Sequence, residues 1–163
     1  MIGFSDKIIE HFQNPRNVGI IENPEGIAKV INPVCGDITK IYLRIKKGVI
    51  IDAKFKSLGC AVTIASASVF TEKIKGRRIS DLISGTDEKI VNQLVALIES
   101  ELGKLPAKKL HCPPATVQAF LESIMRYNKR KGTAELVSRI ESLIPLVNKY
   151  YQRGKESEND AIY

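Results

Sequence analysis

Three cysteines, an aspartate and a histidine in this sequence lie in three short stretches that could together hold a metal or activate a thiol. Cys35 lies in Asn32-Pro33-Val34-Cys35-Gly36-Asp37, Cys60 follows Gly59, and Cys112 stands between His111 and Pro113-Pro114. Each cysteine is thus beside Gly or Pro, at a place where an element begins or ends, rather than among aliphatics in the middle of one. Cys60 and Cys112 each precede a stretch readable as a helix, where free N–H groups lower a thiol pKa and favour anionic ligands. Three thiolates with one oxygen or nitrogen donor, Asp37 or His111, suit zinc or an iron–sulfur cluster. No Cys-x-x-Cys pair is present, so ordinary zinc-finger spacing is absent. A Cys/His nucleophilic pair stays open, with His111 reaching Cys35 or Cys60 across the fold. Read alone, Asp37 would cap a turn, and His11 would be a packing or surface histidine in the first helix.

These residues need elements to position them. Ser5-Asp6 caps a short helix over Lys7–Gln13, which Asn14-Pro15 ends. Residues 27–31 read as a strand. Ile41, Leu43 and Ile45, and then Ile51, Ala53 and Phe55, recur with period two, as in strands with one buried face. Lys47-Gly48 joins the last two strands as a hairpin. The mostly small and apolar stretch 61–75 reads as a buried helix stopped by Gly76. Ser80 caps a short turn, and further helices are expected over 87–102 and 113–130. Over 133–152, Leu136, Ile140, Leu143, Val147 and Tyr150 form an amphipathic stripe, with a kink expected at Pro145. Strands first and helices afterwards predict an α+β fold. The expected architecture is an antiparallel sheet of about three strands packed against a helical layer, with a C-terminal helical extension. The cysteines should meet in one exposed pocket near the sheet edge.

Composition narrows the function. The chain has 163 residues, 44% hydrophobic and 26% charged, which excludes wholly disordered and collagen-like chains. No apolar run is long enough to span a bilayer, and the first residues carry no secretory pattern, so a cytoplasmic protein with reduced thiols is expected. The net charge of +7 invites a nucleic-acid reading. The excess is local, however. Residues 103–132 hold seven basic groups and one acidic, around Lys104, Lys108, Lys109 and the run Arg126–Lys131. Only Phe120 and Tyr127 supply aromatic rings there, too few for a base-stacking platform. A basic corner beside the cysteines fits docking of an acidic protein better.

At the same residues the sequence resembles the scaffold proteins of iron–sulfur cluster assembly, the IscU/NifU N-terminal-domain family. The matching stretches are SDKIIEHFQNPRNVG, NPVCGD, FKSLGCAVTIASAS and LPAKKLHC, spread over about residues 4–130. The apolar stripe predicts a helical extension over 133–152, and the polar composition a frayed tail over 153–163. The resemblance implies a scaffold domain over 1–132. It implies that Cys35, Cys60 and Cys112 ligate the cluster and accept sulfur, that Asp37 tunes lability, that His111 is an alternative metal ligand, and that Lys109 matches the lysine two places before that histidine. It also implies assembly of a [2Fe-2S] cluster with a cysteine desulfurase as sulfur source, acceptor apo-proteins as recipients, and no enzymatic role. Leu105-Pro106-Ala107-Lys108-Lys109 departs from the Leu-Pro-Pro-Val-Lys through which an Hsp70-type chaperone recognises family members. The alternative within reach of the same residues is a zinc-dependent sulfur acceptor of the SufU type. Zinc would then sit on Cys35, Asp37, Cys60 and Cys112.

Overall fold

The computed structural model describes residues 3–154. The chain runs α1 (Asp6–Gln13), β1 (Gly26–Ile31), β2 (Ile38–Lys46), β3 (Val49–Leu58), α2 (Ala61–Ile74), α3 (Ile79–Leu82), α4 (Asp87–Leu102), a short 3-10 turn (Ala107–Lys109), α5 (Cys112–Lys131) and α6 (Ala134–Tyr150). The strands form one antiparallel sheet in the order β1-β2-β3. This is the expected α+β architecture, with the helices laid against the sheet.

Period-two patterning sets the sheet's inner face. Ala28 and Val30 from β1, Ile41, Leu43 and Ile45 from β2, and Ile50, Ala53 and Phe55 from β3 are all buried. The sequence pattern is wrong at one place. Ile51 is 46% exposed while Ile50 is fully buried, because the β2–β3 register shifts between Arg44 and Ile45. The irregularity inserts an extra residue, and the alternation changes phase across it.

Helix α2 packs against α1, β3, α4 and α5. It is buried almost all round, which explains its lack of a polar face. Phe70 on α2 meets Phe120 on α5 edge to face, with ring centroids 5.3 Å apart. Ser5 caps α1 by accepting from Ile8 N at 3.2 Å, and its hydroxyl donates to Leu102 O at 2.5 Å, tying α1 to the end of α4. His11 is a packing residue. Its Nδ1 lies 2.8 Å from Ser68 Oγ on α2 and 3.1 Å from the Arg16 guanidinium. Since arginine can only donate, Nδ1 is an acceptor, and the imidazole is held neutral.

Two smaller differences concern the helices. Ser80 lies inside α3, whose N-cap is Arg78. Pro145 falls inside α6, as the sequence places it. Ile140, Leu143 and Val147 face the core as expected, but Tyr151 rather than Tyr150 is the fully buried tyrosine at the end of that stripe. The expected tail is ordered at its start, where Arg153 pairs with Glu99 at 2.6 Å. Residues 155–163 of that tail lie outside the described residues.

Candidate metal centre

Sheet register brings two of the three cysteine stretches together. Residues 32–37 link β1 to β2, and the pairing of Ile38 with Leu58 places this loop beside the exit of β3. Asn32 organises the loop: its side-chain oxygen accepts from Val34 N at 2.9 Å, its carbonyl accepts from Gly36 N at 2.9 Å, and its own N–H donates to Asp37 O at 2.8 Å. Gly36 takes φ +79, a conformation that favours glycine. Across from it, the chain leaves β3 through Gly59 and enters α2 with Cys60 as N-cap. The third stretch approaches from α5, of which Cys112 is the first residue and His111 the N-cap.

Asp37 completes the N-terminus of α2 from a distant part of the chain. Its Oδ2 accepts from Cys60 N at 3.0 Å and from the Thr63 hydroxyl at 2.6 Å. Cys60 makes no capping bond with its own side chain, so the carboxylate serves helix donors that would otherwise be unsatisfied. The approach requires Gly59. A Cβ at that position would lie 2.5 Å from Asp37 Oδ2 and 2.8 Å from Asp37 Cβ.

The Cys60 and Cys112 sulfurs are 3.7 Å apart. Donor atoms of Asp37, Cys60 and Cys112 all lie within 4.8 Å of one another. A tetrahedral metal with sulfur bonds of about 2.3 Å holds its ligand atoms about 3.8 Å apart, so the sulfur pair is spaced as two ligands of one metal.

The electrostatics distinguish the thiols. The hydrogen bond from the Cys112 thiol is the main cause that draws the Cys60 thiol down to about 5, with burial opposing it and the Lys109 ammonium assisting. The Thr63 backbone N–H lowers that thiol too, whereas the Thr63 hydroxyl contributes little. The single proton of that hydroxyl goes to Asp37 at 2.6 Å rather than to the sulfur at 3.5 Å. The same sulfur–sulfur bond, together with burial, pushes the Cys112 thiol up. Burial chiefly raises the Cys35 thiol, and the Asp37 carboxylate adds to it. Burial works to raise the Asp37 carboxyl, but the bonds from Thr63 and Cys60 N outweigh it and hold the group below its ordinary value of 3.8. Burial likewise works to lower Lys109, and the charge and hydrogen bond of the Cys60 thiolate chiefly outweigh it. The geometry therefore supports one thiolate, Cys60, with Lys109 as its counter-charge and Cys112 as a proton that a metal would displace.

The expected single exposed pocket is graded instead. Cys35 is exposed, Cys60 half-buried and Cys112 fully buried. Cys35 and His111 fall outside the 4.8 Å donor group. His111 lines a neighbouring cavity of about 170 Å³ with Val34, Lys108, Tyr151 and Arg153. A larger cavity of about 410 Å³, lined by Arg77, Asp81 and Gln93, contains none of these residues. Sequence reasoning missed Asn32 and Thr63. Thr63, three residues after an N-cap, carried a signal as a capping position; the contact of Asn32 Nδ2 with His111 O, at 2.8 Å, carried none. The basic segment also divides. Lys109 faces the thiols, whereas the run Arg126–Lys131 lies at the opposite end of α5, about 20 Å or more along a helix rising 1.5 Å per residue.

A sheet-end loop, a helix N-terminus and a second helix start that together present soft thiols and a carboxylate define a metal-handling scaffold of the α+β class. The chain belongs to the NifU-like N terminal domain family, whose family model matches residues 3–134. It is similar to the iron-sulfur cluster assembly scaffold protein IscU 1 of Archaeoglobus fulgidus, with 40% identity over 137 residues that make up 84% of each chain. It is also similar to the iron-sulfur cluster assembly scaffold protein IscU of Azotobacter vinelandii, with 35% identity over 135 residues, 80% of this chain and 98% of that one. Among solved structures, a nitrogen-fixing NifU-like protein (N-terminal) from Brucella abortus matches 85% of this chain and 94% of its own, with 22% identity and a TM-score of 0.47.

Proposed function

We propose that this chain is a scaffold on which [2Fe-2S] clusters are assembled from iron and desulfurase-derived sulfur, and from which they pass to acceptor apo-proteins. The observation that carries the reading is the 3.7 Å spacing of the Cys60 and Cys112 sulfurs with the Asp37 carboxylate in the same group. The scaffold names of the Archaeoglobus and Azotobacter relatives support it. In this reading the cluster is cargo and the protein's role is assembly rather than turnover. Cys60 and Cys112 hold iron from the helix starts, exposed Cys35 closes the site from its loop, and His111 is the alternative donor at its edge. Lys109 offsets the thiolate charge.

Asp37 is the labile position. A carboxylate binds iron less strongly than a thiolate. Its bonds from Thr63 and Cys60 N also compete with a metal for the charge of the same carboxylate. The Asp37→Ala variant should therefore still accept a cluster but hand it to an acceptor more slowly, read by the change in visible absorption as the acceptor fills. An unchanged transfer rate would remove the role.

Protein purified without oxygen should contain iron and acid-labile sulfide in equal amounts after reconstitution with ferrous iron, a cysteine desulfurase, cysteine and a thiol reductant that reduces the persulfide sulfur to sulfide. Tightly bound zinc with no sulfide, and persulfide on a cysteine, would instead establish a sulfur acceptor of the SufU type.

A further inference from the structure

The last described residues fold back onto the segment that carries Lys109, His111 and Cys112. The family match ends at residue 134, so α6 and the residues after it lie beyond it. Arg153 makes the principal contact. Its Nη2 donates to Glu99 Oε1 at 2.6 Å and to the Leu110 carbonyl at 3.1 Å, and its Nη1 donates to Glu99 Oε2 at 3.3 Å. Its guanidinium carbon lies 4.7 Å from the Tyr150 ring centroid. Tyr151 seats this turn: it is 1% exposed and donates to Gln118 Oε1 on α5 at 2.7 Å.

The Leu110 carbonyl has a particular need for this donor. In a helix start it would be served by the N–H three or four residues ahead, but those residues are Pro113 and Pro114, which have none. The next carbonyl, of His111, receives Asn32 Nδ2 at 2.8 Å from the Cys35 loop. Two consecutive carbonyls at the head of α5 are thus held by side chains from two separate segments, one from the ligand loop and one from the last described turn.

We propose that Arg153, seated by Glu99 and Tyr151, is a positioning residue for the metal centre. It pins the Leu110 carbonyl, fixes Lys109, His111 and Cys112 relative to Cys60, and thereby slows loss of the cargo metal. This inference rests on the metal-handling function proposed above.

The test uses the full chain, with cobalt(II) as probe because its absorption reports thiolate ligation and geometry. Hydrogen exchange over residues 105–112 of the metal-free protein reads the pin without any metal. Loss of a charge-assisted bond should raise local opening about tenfold in Arg153→Ala. Glu99→Gln should move the same peptides in the same direction, and Arg153→Lys, which keeps charge but loses the fork, should recover part of the protection. Cobalt release to a chelator should quicken in the same order, with a shifted cobalt spectrum. Lys129→Ala removes the Lys129–Glu141 pair of 3.4 Å elsewhere between α5 and α6 and should change none of these. Unchanged exchange over 105–112 in both Arg153→Ala and Glu99→Gln would overturn the pin. Faster exchange with unaltered cobalt release and spectrum would overturn the positioning role and leave a plain tertiary contact. Failure of the wild-type chain to bind cobalt or iron would fail the metal function itself, and the positioning role with it. That outcome is recognisable because it precedes any substitution.

Discussion

Asp37 and Gly59 act as one unit, although neither is chemically unusual alone. The carboxylate reaches the start of α2 only because residue 59 has no side chain. Gly59→Ala should force the Asp37 carboxylate away from Cys60 N and Thr63, lower stability by about 1–3 kcal/mol through overpacking, and weaken cobalt binding. Gly36→Ala is the informative comparison. Nothing lies within 4 Å of its would-be Cβ, so only the φ of +79 resists, at about 1–2 kcal/mol, with cobalt affinity largely kept. Denaturant melts and cobalt titration of the two variants check the distinction, and equal cobalt affinities would refute it. The cysteines themselves were legible in the sequence, since Gly and Pro beside each one marked element ends. Asn32 was not, because its partner His111 lies 79 residues away and no local pattern announces such a bond; Thr63 had the signal of a capping position, but its partner Asp37, 26 residues away, had none.

At the scale of elements, periodicity carried most of the information. The β2–β3 hairpin, the buried α2 and the stripe of α6 follow from spacing alone. What spacing could not show is a change of phase. The register shift at Arg44/Ile45 turned Ile51 outward, and the final turn of α6 turned Tyr151 inward in place of Tyr150. The seating of α1 on α2 leads to a pH prediction. Burial chiefly, with the nearby Arg16 charge, holds the His11 pKa below its ordinary 6.5. A group with a depressed folded-state pKa gives stability that is complete above its unfolded value and lost as pH falls through the folded one. Stability should therefore decline on acidification below about 6.5, as a proton arriving at Nδ1 displaces the bonds from Ser68 and Arg16. His11→Gln should flatten that decline, measured by urea unfolding between pH 7 and 5. An equally steep decline in the variant would exclude His11 as its source.

For the whole molecule, the charge of +7 has no single meaning. The Arg126–Lys131 run is spent within the fold: Arg130 donates to Glu25 O, Lys129 pairs with Glu141, and Lys131 lies over the Tyr127 ring. Lys108 lines the cavity beside His111 and Lys104 another with Phe4 and Ser5, and under the proposed function these are the charges expected to steer an acidic desulfurase. Lys104→Glu with Lys108→Glu should weaken that binding and reduce its salt dependence, whereas Lys129→Glu with Lys131→Glu should leave both close to wild type. Calorimetric titration at two ionic strengths decides, and equal effects from the two pairs would refute a local docking corner. The separation of the two basic clusters could not be read from composition, because it depends on the unbroken helix α5 that lies between Lys108-Lys109 before its start and the Arg126–Lys131 run at its end.

Under the proposed function, the bonds that Asp37 makes to α2 would give the carboxylate two alternative berths, one on the helix and one on iron. When cargo departs, the negative charge need not be stranded in a half-buried site, since the Cys60 N–H and the Thr63 hydroxyl receive it back. Loading and unloading would then be an exchange of partners at one carboxylate, with the helix start left satisfied in the empty protein.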